Sequence, residues 1–177
     1  METEAHTAIT IVIAASHQEH RVNKHAPTSY AYTIKGPHFS ESRWGYGSAR
    51  ETQEMLAQGL RRAAEHAMIE EANSIVVIVS KIGFTKYLTD FVPKWRAKAA
   101  QDPSFKRNNF RAWKKLHELY ELGGLKIRVF DSEESDLIEE VKACAKKAAT
   151  EALVHCKQNP ELYKKAGVFV TDESQGT

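Results

Sequence analysis

The residues best suited to chemistry form a basic and aromatic segment between residues 94 and 115. A single acid, Asp102, stands there among eight lysines and arginines. The basic residues are Lys94, Arg96, Lys98, Lys106, Arg107, Arg111, Lys114 and Lys115. Lysine and arginine neutralise phosphates and release counterions, which gives salt-dependent affinity for nucleic acid, and Asn109 could hydrogen-bond a phosphate. The same composition would also suit a solvated helix face that Trp95 and Trp113 anchor to a core, and we expect both tryptophans to be largely packing residues.

Three histidines lie close together in a polar stretch near the N-terminus. His17, His20 and His25, with Glu19 between them, could bind a transition metal. Their spacing matches no standard zinc pattern. We therefore favour an exposed loop and assign no metal ligand to this stretch.

The two cysteines, Cys144 and Cys156, lie in one predicted helix, 12 positions and roughly 18 Å apart along its axis. They cannot pair within that helix, and neither has an evident histidine partner that would make it a nucleophile. This usage predicts a reducing, intracellular setting, cytoplasm or nucleus. The first residues, METEAHT, lack the basic and apolar regions of a signal peptide. No apolar run approaches the ~20 residues of a membrane span, so we expect no membrane partner.

The first half of the chain predicts four strands and a long helix. The run Ser74–Val79 is apolar and β-branched, which is typical of a strand buried on both faces. After it, apolar residues recur at Phe84, Leu88 and Phe91, the spacing of one helix face. The upstream predictions are strands at Ala8–Ala15, Thr28–Lys35 and Phe39–Tyr46, and a helix at Ser48–Ala72 that begins with Ser48 as N-cap and Glu51 in a capping box.

The second half predicts the remainder of one α/β domain. Pro103 breaks the basic segment, a helix follows at 111–122, a strand at 125–130 and a last helix at 132–157. We therefore expect a mixed five-stranded sheet, three antiparallel strands then two parallel, with helices on both faces. The domain spans residues 7–156, and residues 157–177 form a C-terminal tail. Within this tail, Val168–Val170 could dock on another surface.

This order of elements resembles the ribonuclease H family, and particular residues carry the resemblance over about Thr7–Leu153. Glu54-Met55-Leu56-Ala57 is similar to the family's E-L-x-A, and residues 145–149 resemble the L-A-x-x-A-A with which the family's last helix ends. Residues 79–84 stand in place of the T-D-S-x-Y-V signature. Phe91 and Trp95 then fall at the positions of the family's later aromatic residue and tryptophan, with no gap in the spacing. Asn109 precedes Trp113 by four positions, as in the family, and Gly123-Gly124-Leu125 is similar to fungal-type members.

The resemblance implies a centre of two divalent metals, usually magnesium, held by four acidic residues. Carried over residue by residue, these positions are Ala15, Glu54, Ser80 and Lys142, so Glu54 is the only retained acid. Arg50 and Glu51 stand where the family reads the 2′-hydroxyls of RNA, and residues 131–134 replace its flexible-loop histidine. One carboxylate cannot neutralise two close metal ions. We therefore expect no metal and no cofactor.

Three hypotheses for function follow. The first is a catalytically degenerate ribonuclease H-like domain that binds RNA–DNA hybrid or other duplex nucleic acid. Its contacts would come from Lys94, Arg96, Lys98, Lys106, Arg107, Asn109 and Arg111. The second is an active hybrid ribonuclease, dependent on magnesium or manganese, in which Glu51 or the acids of residues 131–136 rebuild the site. The third is a scaffold that binds a protein partner through another face.

Overall fold

The computed structural model describes residues 8–70, 72, 74–79, 84–107, 110–121, 125–129 and 136–172, with only the backbone described at 85, 125–129 and 137. Strands are β1 Ala8–His17, β2 Ala26–Lys35, β3 Ser40–Ala49, β4 Ser74–Val79, β5 Leu125–Val129 and β6 Gly167–Thr171. Helices are α1 Thr52–Ile69, α2 Phe84–Lys86, α3 Val92–Gln101, α4 Phe110–Glu121 and α5 Asp136–Gln158. A π-helical turn, Tyr87–Phe91, joins α2 to α3, and a 3₁₀ turn, Leu162–Lys164, follows α5.

The strands form one mixed sheet in the order β5-β4-β1-β2-β3-β6. β1, β2 and β3 pair antiparallel, and β4 and β5 run parallel to β1. The predicted fold class, three antiparallel strands followed by two parallel ones, is confirmed. The sheet has a sixth strand beyond the five predicted, because β6 pairs antiparallel with β3.

Helices cover both faces of the sheet, and side chains alternate between two cores. On β1, Ile11 and Ile13 point into the larger core with α1 and α4. Val12 and Ala14, one position out of phase, pack against α5. The central strand β2 is buried on both faces, although its sequence had predicted a half-buried strand. The Thr28 hydroxyl donates a hydrogen bond to the Ala26 carbonyl, and the Ser29 hydroxyl donates one to the Ala145 carbonyl.

The predicted start of α1 is wrong. Ser48 belongs to β3, where it is buried and its hydroxyl donates to the Tyr163 carbonyl over 3.2 Å. The helix begins four residues later, with Glu51 as an N-cap that makes no side-chain hydrogen bond. Pairing with β2 continues to Ala49, opposite Ala26, so strand pairing outweighs the local capping signal of Ser48.

The predicted helix face after β4 is shifted by the π-helical turn. Phe84 and Leu88 are fully buried as expected, but Phe91 is 39% exposed, and Val92 is fully buried instead. A π turn contains one more residue than an α turn, so the residue four places after Leu88 returns to the core side. Phe91 is thereby moved to the surface.

The segment after α5 packs against the sheet. Tyr163 is fully buried, and its hydroxyl lies 2.9 Å from Nδ1 of His155. Phe169 of β6 makes an edge contact with the Tyr163 ring, with centroids 5.0 Å apart. The domain boundary at residues 156 and 157 stays a prediction, although residues of the predicted tail contribute to the same sheet and core.

Candidate nucleic-acid interface

The basic segment contains most of α3 and the first half of α4. Lys94, Lys98, Lys106 and Arg111 are exposed. None of these four has an ion pair with another described residue. Asp102, the single acid of the segment, is occupied locally, because its carboxylate accepts hydrogen bonds from the backbone N–H and hydroxyl of Ser104 at 2.9 and 2.6 Å. The segment therefore presents cations that its own acid does not neutralise.

Arg96 differs from the other cations of the segment. Its Nη1 lies 2.9 Å from Nδ1 of the buried His117 and 3.1 Å from Oε2 of Glu121. These contacts join α3 to α4. Arg96 is therefore less available than the exposed cations, and its predicted contact with nucleic acid stays a prediction.

An aromatic cluster holds the segment on the domain. Trp113 is 1% exposed, and the ring of Tyr87 stacks on it with centroids 4.8 Å apart. Trp95 meets Tyr87 edge-on at 5.9 Å and is only partly buried. The expectation of a packing role is therefore confirmed for Trp113, whereas Trp95 packs with part of its ring and leaves the rest at the surface.

The exposed side of Trp95 carries Arg107. The guanidinium carbon lies 4.0 Å from the Trp95 ring centroid, a cation–π contact. The Arg107 side chain is otherwise exposed. Stacking on a ring fixes the plane of a guanidinium group while its N–H groups stay free to bind phosphate in the fork geometry that arginine favours.

The start of α1 lies beside this cluster. Tyr87 donates its hydroxyl proton to Oε2 of Glu51 over 3.2 Å. Burial raises the pKa of Tyr87, and the Glu51 and Glu54 carboxylates raise it further, while Arg107 acts in the opposite direction. Glu54 also accepts the Arg50 backbone N–H at 3.1 Å. Glu51, Glu54, Tyr87 and Arg107 thus share one electrostatic environment.

One of the positions assigned to metal ligands, Ala15, lies in β1 beyond the point at which β4 ends. Ile13 of β1 pairs with Val79, the last residue of β4. Ala15 therefore lies two residues beyond that pair. The Ala15 methyl group packs against the larger core. Ser80 lies outside the described residues, as do Asn109 and residues 131–134.

The fourth assigned position, Lys142, lies on α5. Its ammonium nitrogen is 3.7 Å from Oε1 of Glu139, one turn earlier on the same helix. An ammonium group repels a divalent cation, and its nearest described carboxylate already pairs with it. Lys142 is therefore unsuited to a metal centre.

The side chains at the four assigned positions do not fit two divalent cations. They offer a methyl group, one carboxylate, one hydroxyl and one ammonium group, whereas magnesium and calcium require clustered oxygen ligands. In the part of the chain that the structure describes, no group of three or more His, Cys, Asp or Glu side chains could hold a metal ion.

That finding covers the histidine-rich stretch near the N-terminus, where the sequence left a transition-metal site open. His17 and His20 are exposed, whereas His25 is 7% exposed. Burial lowers the pKa of His25, and Arg50 and Arg21 lower it further. Cys144 and Cys156 are free thiols, and burial raises the pKa of both, which disfavours the nucleophilic thiolate.

Tyr87 is the residue of this surface that the sequence reasoning missed. A usable signal was present, because Tyr87, Phe91 and Trp95 recur every four residues. That spacing places three aromatic rings on one side of a helix. In the structure Tyr87 contacts both of the others, and its hydroxyl links the cluster to α1.

No helix in the described ranges is both long and apolar enough to cross a membrane. No protein-family model matches the sequence, and no curated protein matches it significantly.

Solved structures with the same fold are found despite low sequence identity. LC9-RNase H1, a type 1 RNase H with the type 2 active-site motif, superposes with a TM-score of 0.63 at 12% identity, covering 85% of this chain and 76% of that one. The N-terminal RNase H domain of rv2228c from Mycobacterium tuberculosis gives 0.57 at 9% identity, with 85% and 99% covered.

A viral protease–reverse transcriptase contains the same fold in one part of its chain. The foamy viral protease–reverse transcriptase, solved in complex with an RNA/DNA hybrid, gives a TM-score of 0.55 at 10% identity. The match covers 82% of this chain but 20% of that one. At these identities the comparisons establish architecture and not activity. The fold of this chain is therefore ribonuclease H-like.

Proposed function

We propose that this domain binds RNA–DNA hybrid or other duplex nucleic acid through the basic segment, without two-metal hydrolysis. The observation that carries the proposal is the group of exposed cations Lys94, Lys98, Lys106 and Arg111, which form no ion pair with a described residue. Foamy viral protease–reverse transcriptases with this fold have been solved with an RNA/DNA hybrid and with dsDNA.

The physical basis of binding is electrostatic. Formal net charge is +2, so the whole chain attracts a polyanion only weakly. The basic segment concentrates charge locally, and each phosphate that it neutralises releases counterions. Arg107, held on Trp95, supplies one guanidinium group of fixed orientation. We assign binding to Lys94, Lys98, Lys106, Arg107 and Arg111, and we retain Asn109 as a proposed phosphate contact.

The proposal that hydrolysis is lost rests on residue types. Ala15, Ser80 and Lys142 provide no carboxylate at the positions that the family resemblance assigns, and Glu54 alone cannot balance two metal ions. A rearranged site is the second candidate, favoured by one observation. Glu51 lies one turn from Glu54, and both carboxylates are close enough to raise the pKa of Tyr87.

One titration series separates these candidates. Labelled RNA–DNA hybrid, double-stranded RNA and duplex DNA are titrated with the full chain in EDTA, then in magnesium or manganese, at two salt concentrations. We expect salt-sensitive binding that is independent of metal, with no cleavage products. Metal-dependent products that disappear in Glu54→Gln would overturn the loss of hydrolysis and establish the rearranged site.

Charge reversal tests the assigned surface. Lys106→Glu and Arg111→Glu should each weaken binding to every duplex and reduce the salt slope by about one. The matched control is Lys165→Glu, an exposed lysine next to β6, whereas the basic segment packs at the opposite, β5 edge of the sheet. Equal effects of all three variants would reject the basic segment as the binding surface.

Failure to bind any duplex at either salt concentration would reject the proposed function. The protein-scaffold hypothesis would then be favoured, in which Lys106→Glu leaves function unchanged and removal of residues 157–177 abolishes it.

A further inference from the structure

A cavity of about 420 Å³ lies at the C-terminal half of α1, away from the basic segment. Tyr30 and Tyr32 of β2 line it, together with Arg62 and His66 of α1 and Asp172, which follows β6. Its volume is within the range of small-molecule sites, ~300–1,000 Å³. No residue of the basic segment contributes to its lining. It is therefore separate from the proposed nucleic-acid surface.

Two tyrosines supply hydrogen-bond donors to this cavity. Tyr30 and Tyr32 are 2% and 3% exposed, and their rings stack with centroids 6.2 Å apart. Neither hydroxyl hydrogen-bonds to a described residue. Burial raises the pKa of Tyr30 to about 12 and raises the pKa of Tyr32 further, so both hydroxyls stay protonated near neutral pH. Both residues line the cavity, so each hydroxyl is available to donate a hydrogen bond to an acceptor bound there.

His66 adds an unsatisfied polar atom in the same wall. The residue is 9% exposed, and its Nε2 lies 3.3 Å from Oε2 of Glu41. Its Nδ1 is buried and has no partner in the described ranges. The ring also makes an edge contact with Tyr32, with centroids 6.4 Å apart.

The charges around the cavity are only partly paired with one another. Glu41 pairs with Arg43 at 3.3 Å. Glu65 pairs at 3.2 Å with Arg61, which does not line the cavity. Arg62 makes no ion pair with a described residue, and its Nε is buried without a hydrogen-bond partner.

Two further carboxylates line the cavity. Asp172 accepts the backbone N–H of Trp44 at 3.3 Å, and burial raises its pKa while Arg43 lowers it, but no cation of the described residues lies within ion-pair distance of it. Glu70, the C-cap of α1, is exposed and likewise has no described ion-pair partner. Arg62, Glu70 and Asp172 therefore line one cavity without an ion pair to a described residue.

We propose that the cavity binds a small zwitterion that carries a carboxylate and an ammonium group, as a free amino acid does. The ligand carboxylate accepts hydrogen bonds from Arg62 and from the hydroxyls of Tyr30 and Tyr32. The ammonium group lies toward Asp172 and Glu70. A simple anion would leave these carboxylates without a partner, and a simple cation would leave Arg62 without one.

The test uses the full chain, ligand-detected NMR and calorimetry. The probes are the standard amino acids and, for the tightest of them, its decarboxylated amine and its deaminated acid. We expect the amino acid to bind and each single-charge analogue to bind about tenfold more weakly, the effect of losing one charge-assisted hydrogen-bond set. Equal binding of either analogue, or no binding by the panel, would overturn the proposal.

Neighbouring arginines on α1 provide a matched pair of variants. Arg62→Gln should weaken binding of the amino acid by about tenfold or more. Arg61 does not line the cavity, so Arg61→Gln should weaken that binding by less than about twofold. An equal loss in both variants would overturn the assignment, because it would indicate a general charge effect. Duplex binding measured on Arg62→Gln should be unchanged, which keeps this result independent of the proposed function.

Discussion

Arg107 and Arg96 illustrate how two arginines of one basic segment acquire different roles. Arg107 lies over the Trp95 ring and is exposed. Arg96 is held between His117 and Glu121 and joins two helices. A stacked guanidinium group loses less conformational freedom on binding a phosphate than a free side chain does. Of the two, Arg107 is therefore better suited to the proposed phosphate contact.

Tyr30 and Tyr32 make the stability of the protein sensitive to alkaline pH. Burial raises the pKa of both tyrosines, that of Tyr30 to about 12, against about 10 in the unfolded chain. The folded state then holds these protons more tightly, so its stability is complete below pH 10 and falls as pH rises from there. For Tyr30 the loss amounts to about 2–3 kcal/mol.

Urea unfolding at pH 8, 9.5 and 11 measures this effect. Tyr30→Phe and Tyr32→Phe should each reduce the loss of unfolding free energy between pH 8 and pH 11. Tyr120→Phe, at a partly exposed position of α4, serves as the control. The prediction fails if all three variants show the pH dependence of the parent chain.

At the scale of elements, the approach of β6 to β3 depends on a glycine. A Cβ atom at Gly47 would lie 1.9 Å from the carbonyl oxygen of Gly167. The register of the two strands also shifts between Tyr46 and Gly47. Only glycine at position 47 therefore permits this backbone contact.

Gly47→Ala should separate β6 from the sheet. We expect faster amide exchange at Val168 and Val170 and a loss of about 1–3 kcal/mol in unfolding free energy, the cost of forcing extra atoms into a packed contact. Gly167→Ala is the matched control, because its Cβ would meet only the Phe169 ring, at 3.2 Å. Exchange in β6 that is unaltered by Gly47→Ala would show that the strand docks by other contacts.

At the scale of the whole molecule, the sheet order separates two surfaces. β5 and β6 are opposite edges, with the basic segment near the first and the cavity lined by Thr171 and Asp172 at the second. Residues after 156 thus complete both a sheet edge and a cavity wall. This arrangement gives the predicted tail a structural role and makes the domain boundary testable.

Two truncations test that boundary. A chain ending at residue 166 keeps Tyr163 in the core and loses β6, and should unfold at a modestly lower temperature. A chain ending at residue 156 also loses the fully buried Tyr163, and we expect a further loss of about 3–5 kcal/mol. Calorimetry measures both. If the shorter chain unfolds with the free energy of the full protein, the domain does end at residue 156.

The sequence by itself determined the first five strands, their order among the helices and the location of the positive charge. Apolar runs such as Ser74–Val79 specify buried strands whatever their neighbours, and the order of strands and helices leaves few topologies. The types of residues in the segment 94–115 were enough to predict a basic surface. Their individual availability was not predictable, because Arg96 meets His117 and Glu121 only when α3 packs on α4.

Only the tertiary structure decided the details in which contacts distant along the chain compete with local preferences. Ser48 is a good helix cap locally, yet strand pairing and the Tyr163 carbonyl hold it in β3. Phe91 has the spacing of a buried residue, yet after the π-helical turn Val92 is buried and Phe91 is exposed. The cavity joins β2, β3, β6 and α1, whose residues are far apart in sequence. Such sites depend on packing between elements, and short-range periodicity carries no information about that packing.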